Sequence, residues 1–391
     1  MSNAADQFDD WIRGRFVEFN SELEACYGKL EDSADIVGVG DVLKQALVEE
    51  GERLVAPVAA EGNTERHFES AYDVLGNVGL YMAALRRHEI TNPERDDRSP
   101  FASCSALAMH IAASIGVAPR FATPHLTTHN FARNGQQKSF TNLADEKLFN
   151  ELNLEGILGY KRAGKALMRL SNIGISAPAA GLLLRDAKDA LEGVVVSNKN
   201  LFDALDPQTF FNHVRPYYKP HHVGSAVYRG GNAGDFAGIN QLDLLLGLCR
   251  GNDPDYARIL EEKILFMTPE DQMELRACLA RRPLLDELLE AAKSGQRDDG
   301  LSANALAFLD VCEAHGRTAA QHHDMLVKKF IRRPAEEIEQ RHLKQITASG
   351  PPLDELIASL EWLRDLRMAK RREGAITAHD DMALLRDWFG C

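Results

Sequence analysis

The sequence FFNHVRPYYKPHHVGSAVYRGGNAGDFAGINQLDLLLG, residues 210–247, decides how the rest of the chain is interpreted. A helix is predicted to end near Arg215, because the ring of Pro216 has no N–H with which to continue a helical hydrogen-bond ladder. A glycine-rich loop follows at residues 228–235, and an apolar helix restarts at Gln241. A loop this long between apolar helices is typical of a functional site. It offers one fixed cation and small residues that suit a flat ligand lying close to the backbone.

Outside this stretch, apolar residues recur at helical spacing along almost the whole chain. The spacing of three to four positions is clear from residue 6 to residue 30 and again over residues 301–347. No segment shows convincing strand alternation, and only a short hairpin near residues 194–196 is left open. The sequence therefore predicts an all-α fold.

A polar, proline-bounded segment at residues 92–100 gives the best internal boundary in the N-terminal third. It divides the chain into an N-terminal helical region, residues 1–95, and a larger helical bundle domain, residues 96–391.

Composition and charge exclude several classes of function. The 391 residues carry a formal net charge of −13, so the chain has no electrostatic reason to bind a phosphate backbone, and we expect no nucleic-acid partner. No apolar run reaches the ~18 residues needed to span a bilayer, and the N-terminus lacks the features of a signal peptide. The six cysteines have irregular spacing, which favours a reducing compartment. We expect a cytoplasmic protein that binds no membrane.

A second irregular stretch, PRFATPHLTTHNFARNGQQKSF at residues 119–140, holds two histidines. Long irregular loops are often functional. His125 and His129 are candidates for acid–base chemistry or for a hydrogen bond to a bound ligand, and each could equally be an ordinary loop histidine. Pro124 stiffens the approach to His125, which makes it the favoured candidate of the two.

The residue types alone do not decide the role of the other polar candidates. A histidine on a long helix is a common axial ligand of haem iron, and His315, His322, His323 and His342 all qualify, although each could be a partly exposed helix histidine. The guanidinium of Arg215 suits a carboxylate ligand through two parallel hydrogen bonds. It could equally tie a loop to the end of a helix.

Three blocks of the sequence resemble the haem-dependent dioxygenase superfamily, which contains indoleamine 2,3-dioxygenase, tryptophan 2,3-dioxygenase and monodechloroaminopyrrolnitrin synthase. Residues 210–216 are similar to F-x-x-x-x-R-P, and residues 230–247 are similar to a G-G-S-A-[AG]-Q loop followed by a D-x-L-L-G helix. HDMLVKKFIRRP, residues 323–334, is similar to H-L-Q-I-V-T-K-Y-I-x-x-P. This register selects His323 over His322 as the proximal ligand of the iron.

The N-terminal half resembles the monodechloroaminopyrrolnitrin synthase branch. The matching segments are YDVLGNVGLYMAALRRH, residues 72–88, and KSFTNLADE, residues 138–146. With the three blocks, the resemblance covers roughly residues 65–370. It implies a large helical bundle domain that encloses haem b, with the smaller helical region beside it.

The resemblance also implies a role for individual residues. Phe210 would pack on the substrate ring and Arg215 would bind its carboxylate. The residues implied to bind substrate are Phe210, Arg215, Gly231, Ser349 and Gly350. The residues implied to bind the cofactor are His323, Asn232, Ala233, Gly234, Asp243 and Arg317.

The sequence departs from the superfamily pattern at two places. These differences affect the expected reaction outcome more than the expectation that haem is bound. Ala320 stands where the indoleamine enzymes have an arginine near a haem propionate, and Arg317, one turn earlier, is the candidate replacement. The Gly-Thr-rich substrate lid of the superfamily is reduced to Ser349-Gly350-Pro351-Pro352.

The resemblance implies an oxygenase that uses haem b and O₂ on tryptophan or a related aromatic amino acid, as a monomer or homodimer. Ring cleavage, ring rearrangement and hydroxylation all remain open as outcomes. The alternative from another class is a haem-binding or helical interaction protein without catalysis, which would keep His323 but need no Arg215 site.

Overall fold

The computed structural model describes residues 2–33, 35–62, 67–231, 234–295, 298–332 and 353–389. Most of these residues are helical, so the predicted all-α fold is confirmed. The α-helices are α1 (Asn3–Arg13), α2 (Arg15–Tyr27), α3 (Asp41–Ala60), α4 (Phe68–Arg87), α5 (Ala102–Ile115), α6 (Ala144–Ile173), α7 (Ala180–Ala204), α8 (Pro207–Thr209), α9 (Gly238–Leu246), α10 (Pro254–Ile264), α11 (Pro269–Leu279), α12 (Leu284–Lys293), α13 (Asp299–Ala320), α14 (Leu353–Arg367) and α15 (His379–Phe389).

Helices of two other types, the more tightly wound 3₁₀ helix and the more widely wound π-helix, complete the helical part of the described structure. Thr123–Leu126 and Arg215–Tyr218 are 3₁₀ helices, and Phe210–Val214 and Gln321–Arg332 are π-helices. A π-helix is rare and frequently marks a functional site. Both of these π-helices fall in the blocks on which the superfamily resemblance rests.

The one hairpin in the described residues lies inside the stretch that opened the sequence analysis. Strand β1 (His221–Val223) pairs antiparallel with β2 (Ala226–Tyr228), with His222 opposite Val227. The hairpin considered at residues 194–196 is wrong, because those residues continue α7. Three-residue strands are too short to produce a period-two pattern that a sequence could reveal.

The chain divides into two compact units, each assembled from separate segments. The first comprises Met1–Glu151, Leu205–Asp235 and Phe330–Leu353, and the second comprises Leu152–Ala204, Phe236–Lys329 and Asp354–Cys391. The boundary expected between residues 95 and 96 falls inside the first unit.

In the first unit, α4 is buried along nearly its whole length from Ala71 to Arg87. Two glycines on α4 allow the irregular stretch at residues 119–131 to lie directly against it. A Cβ on Gly79 would stand 2.2 Å from the backbone nitrogen of Phe121, and one on Gly76 would stand 2.4 Å from the ring of His125. Neither contact leaves room for a side chain, so these glycines fix the position of the stretch.

The second unit has one continuous apolar core. Helices α7 and α13 pack along each other, and both contribute to this core. Helix α9 is buried on almost every side, from Asn240 to Leu246. The predicted cap at Thr268 is confirmed, since its side chain accepts a hydrogen bond from the backbone N–H of Asp271. Across the described ranges, we find no helix that is both apolar enough and long enough to cross a bilayer.

Candidate functional site

The turn that carries Arg215 is a π-helix that passes into a 3₁₀ helix, with Pro216 near the start of the 3₁₀ segment. The proline does not end the helical path here, because the first N–H groups of a helix need no intrahelical acceptor. A buried cluster holds the turn in place. Arg87 donates from Nε and Nη2 to the Glu24 carboxylate, each at 2.7 Å, and Nη2 also reaches the Asn212 carbonyl at 3.0 Å. His213 binds the same carboxylate at 2.8 Å.

Arg215 is a half-buried cation without a counter-ion among the described residues. Its Nη2 is shielded from solvent and has no hydrogen-bond partner. The nearest aromatic ring, that of Phe211, lies 5.3 Å from the guanidinium carbon. Burial lowers the pKa of Arg215 to about 10, so the group stays protonated at neutral pH. A buried, unpaired guanidinium is costly unless a ligand supplies the acceptor, which fits the carboxylate expected from the sequence.

Aromatic rings from three segments surround this turn, and together with Arg215 we call them the Arg215 cluster. The ring of Phe210 lies 4.8 Å from that of Phe149 and 5.9 Å from that of Phe330. Phe149 in turn lies 6.1 Å from Tyr218. All five residues belong to the first unit. Such a set offers apolar faces for a ring beside one cation for an acid group.

The glycines of the loop at residues 228–235 have a different role from the one expected. A Cβ on Gly230 would stand 1.8 Å from the carbonyl oxygen of Tyr218, and one on Gly231 would stand 2.7 Å from the ring of Phe121. Both glycines therefore permit close packing of the protein on itself, where the sequence had suggested room for a flat ligand. Asn232 and Ala233 lie outside the described residues, and Gly234 adjoins Asp235.

Asp235 joins the two irregular stretches of the chain. Its carboxylate, fully buried, accepts two hydrogen bonds from the guanidinium of Arg120 at 3.0 and 3.1 Å. It also accepts from the backbone N–H of Thr123 at 3.3 Å and pairs with Arg229 at 2.9 Å. Asp235 thus links the two stretches within the first unit, through residues that the sequence analysis had not singled out.

His125 is held by the backbone through both ring nitrogens. Nδ1 accepts from the N–H of Ala122 at 2.8 Å, and Nε2 lies 2.9 Å from the carbonyl oxygen of Tyr72, to which it donates. The ring also stacks on that of Tyr72 at 3.9 Å. Burial lowers its pKa to about 3. A neutral imidazole with both nitrogens engaged has no lone pair for a substrate proton, so this geometry gives His125 a structural role.

His129 is half-buried beside the same tyrosine. Its ring lies edge-on to Tyr72 at 5.2 Å and to Phe68 at 6.3 Å, and Nδ1 lies 3.1 Å from the hydroxyl of Thr128. Of the two histidines in the stretch, His129 keeps the more open environment.

The structure separates the adjacent histidines His322 and His323. His323 is buried, and neither ring nitrogen has a hydrogen-bond partner. Its nearest charged neighbours are the carboxylates of Asp324 and Glu361, at 3.6 and 3.5 Å. His322 is exposed, although desolvation by the surrounding protein lowers its pKa to about 4.

Haem iron requires a neutral imidazole nitrogen, and both histidines stay candidates for it. They differ in exposure, since His322 is exposed and His323 is buried. A π-helix changes the face on which each successive residue lies, so the sequence register alone does not choose between them.

The remaining candidates for cofactor binding differ in environment. Arg317 is exposed and forms an ion pair with Glu192. Asp243 is fully buried and fully engaged by three side chains. It receives Nε and Nη2 of Arg367 at 2.9 and 2.8 Å, Nε2 of His315 at 2.7 Å and the hydroxyl of Tyr256 at 2.8 Å. Ser349 and Gly350 lie outside the described residues.

The role of Arg367 was missed from the sequence. Arg367 is distant from Asp243 along the chain, and no motif links the two. Arg367 also helps to lower the pKa of His322, which places the cation near that ring.

One comparison with known proteins bears on this site. The model of the family described as "Monodechloroaminopyrrolnitrin synthase PrnB" matches residues 2–389. The match includes both units and every residue discussed above.

Proposed function

The chain belongs to the monodechloroaminopyrrolnitrin synthase family and is therefore a haem-dependent oxidoreductase, and from that premise we propose that it oxidises a free aromatic amino acid of the tryptophan type. The family acts with oxygen on a tryptophan-derived substrate. The single observation that carries the proposal is the half-buried guanidinium of Arg215, which has no counter-ion among the described residues and stands on the same turn as Phe210.

Haem fits the residues that are present. We propose His322 as the iron ligand, since it is exposed, whereas His323 is buried with a carboxylate 3.5–3.6 Å from each ring nitrogen. The sequence register favours His323, and the two assignments are separated by experiment below. When bound, haem b supplies the iron chemistry that activates O₂.

The protein side chains then bind and orient the substrate. Arg215 would form a charge-assisted pair with the carboxylate, and Phe210 and Phe149 would pack against the aromatic ring. Holding the ring in one orientation near the oxidant accounts for much of what a protein adds to cofactor chemistry. Removal of water strengthens the guanidinium–carboxylate pair.

His125 has no part in proton transfer in this proposal, because both of its nitrogens are engaged by backbone groups. His129 remains the candidate for a proton acceptor in the stretch at residues 119–131. Its imidazole has the partial exposure that such a role needs.

The test is a spectrum followed by a substrate screen. Protein produced with a supply of haem should show a Soret band that shifts when L-tryptophan or a related amino acid is added, and it should consume O₂ in the presence of a reductant. A protein without a Soret band would overturn the proposal. A Soret band without substrate shift or O₂ consumption would favour the alternative, a haem-binding protein without catalysis. Product mass would then distinguish ring rearrangement from cleavage or hydroxylation.

A further inference from the structure

A second polar group stands on the same turn as Arg215. The hydroxyl of Tyr218 is shielded from solvent and has no hydrogen-bond partner among the described residues. The residue is 9% exposed. Burial raises the pKa of this phenol well above its usual value, so it stays a neutral donor. A buried hydroxyl without an acceptor is a cost that a bound ligand would remove.

The helix type places Tyr218 beside Arg215. The two residues are the first and last of the 3₁₀ helix Arg215–Tyr218, three positions apart. In a 3₁₀ helix, side chains at positions i and i+3 lie one above the other, about 6 Å apart along the axis. Two buried donors without acceptors thus project from the same side of one turn.

The packing of the Tyr218 ring supports the same placement. It lies 5.8 Å from Phe121 and from Phe140, and 6.1 Å from Phe149, which itself packs on Phe210. The close approach of Gly230 to the Tyr218 carbonyl fixes the backbone of the turn from the other side. The ring is therefore positioned and only its hydroxyl lacks a partner.

We propose that Tyr218 is a specificity-determining residue, whose hydroxyl donates a hydrogen bond to the same substrate carboxylate that Arg215 binds. This inference rests on the proposed function and deepens it. Two donors on one turn, one charged and one neutral, match the two oxygens of a carboxylate. The site would then select aromatic acids over aromatic amines.

Tyr217 provides a matched control. It too carries a buried hydroxyl, but its ring stacks on Phe140 at 4.4 Å and lies edge-on to His88 at 5.8 Å. Glu24, Arg87 and Glu146 are the charged groups that act on it, and of these Glu146 also acts on Tyr218. Tyr217 thus faces the Glu24 side of the turn rather than the Arg215 cluster.

The experiment measures binding to haem-loaded protein by calorimetry with three probes: L-tryptophan, indole-3-propionate, which lacks the amine, and tryptamine, which lacks the carboxylate. Tyr218→Phe should weaken both carboxylates roughly 10- to 100-fold, the effect of losing one hydrogen bond to a charged group. It should leave tryptamine unchanged. Tyr217→Phe should leave the affinity for all three probes unchanged. Arg215→Gln should weaken binding of L-tryptophan and indole-3-propionate, the two probes that Tyr218→Phe affects.

The outcomes separate this inference from the proposed function. If Tyr218→Phe binds both carboxylates as wild type does, or weakens tryptamine equally, the role of Tyr218 is overturned while the Arg215 site stands. If wild-type protein binds neither carboxylate, the proposed function fails, and the role of Tyr218 fails with it. Equal losses in Tyr217→Phe and Tyr218→Phe would identify a packing effect and overturn the inference as well.

Discussion

Arg367 donates from Nε and Nη2 to the carboxylate of Asp243, at 2.9 and 2.8 Å, and this pair joins the end of α14 to α9 inside the core of the second unit. His315 on α13 binds the same carboxylate at 2.7 Å. At the next residue, a Cβ on Gly316 would stand 3.2 Å from the Arg367 carbonyl oxygen. The helix that continues into the two adjacent histidines is thus held against α9 and α14 by one buried carboxylate.

Removing the cation from this pair should destabilise the protein. Arg367→Met leaves the buried Asp243 without its guanidinium, and breaking a buried ion pair from one side costs about 3–5 kcal/mol. We expect that loss in the free energy of unfolding measured in urea. Arg371→Met, which removes the exposed partner of Asp380, is the matched control and should unfold like wild type. An equal response of the two variants would contradict a structural role for the Asp243 pair.

The Glu24–Arg87 pair should make stability depend on acid pH. Pairing with Arg87 and His213 outweighs the opposing effect of burial and lowers the pKa of Glu24 from 4.5 to about 2. Because the folded-state pKa is depressed, the stabilisation is fully present above pH 4.5 and is lost as pH falls towards 2. The difference in unfolding free energy between wild type and Glu24→Gln should be constant near pH 6 and shrink by about 2 kcal/mol at pH 3. A difference that does not change with pH would refute this assignment.

Replacement of the two histidines at residues 125 and 129 should have opposite consequences. His125→Ala removes the hydrogen bond to the Tyr72 carbonyl and the acceptor of the buried Ala122 N–H, and an unpaired buried N–H costs about 1–3 kcal/mol. Thermal stability should fall accordingly. His129→Ala should unfold close to wild type and, if His129 accepts a proton, lose turnover. Normal stability with lost turnover in His125→Ala would return the catalytic assignment to His125.

The sequence predicted the helical class well and the special turns poorly. Apolar spacing is set by the 3.6-residue period, so the helices followed from it directly. The turn at residues 210–218 depends instead on a π-to-3₁₀ transition, which leaves no comparable pattern. The loop glycines were visible, but the contacts that require them, with Tyr218 and Phe121, are distant in sequence.

In the candidate site too, some residues could be predicted from the sequence and others could not. The F-x-x-x-x-R-P block identified Phe210 and Arg215, because ring and cation lie within one short segment. Arg367 could not be foreseen, since its partner Asp243 is 124 positions away. The choice between the adjacent histidines stays a prediction, because a register aligned one residue at a time carries no information about which face a π-helix presents.

The most direct test of the account is the ligation of the haem iron in two single variants. Magnetic circular dichroism of the ferric and ferrous forms reports the axial ligand without requiring activity. The account predicts that His322→Ala loses haem, or retains it with an altered axial ligand that added imidazole restores, while His323→Ala keeps the wild-type spectrum. A wild-type spectrum in His322→Ala, with loss of the imidazole signature in His323→Ala, would contradict it and return the iron ligand to His323.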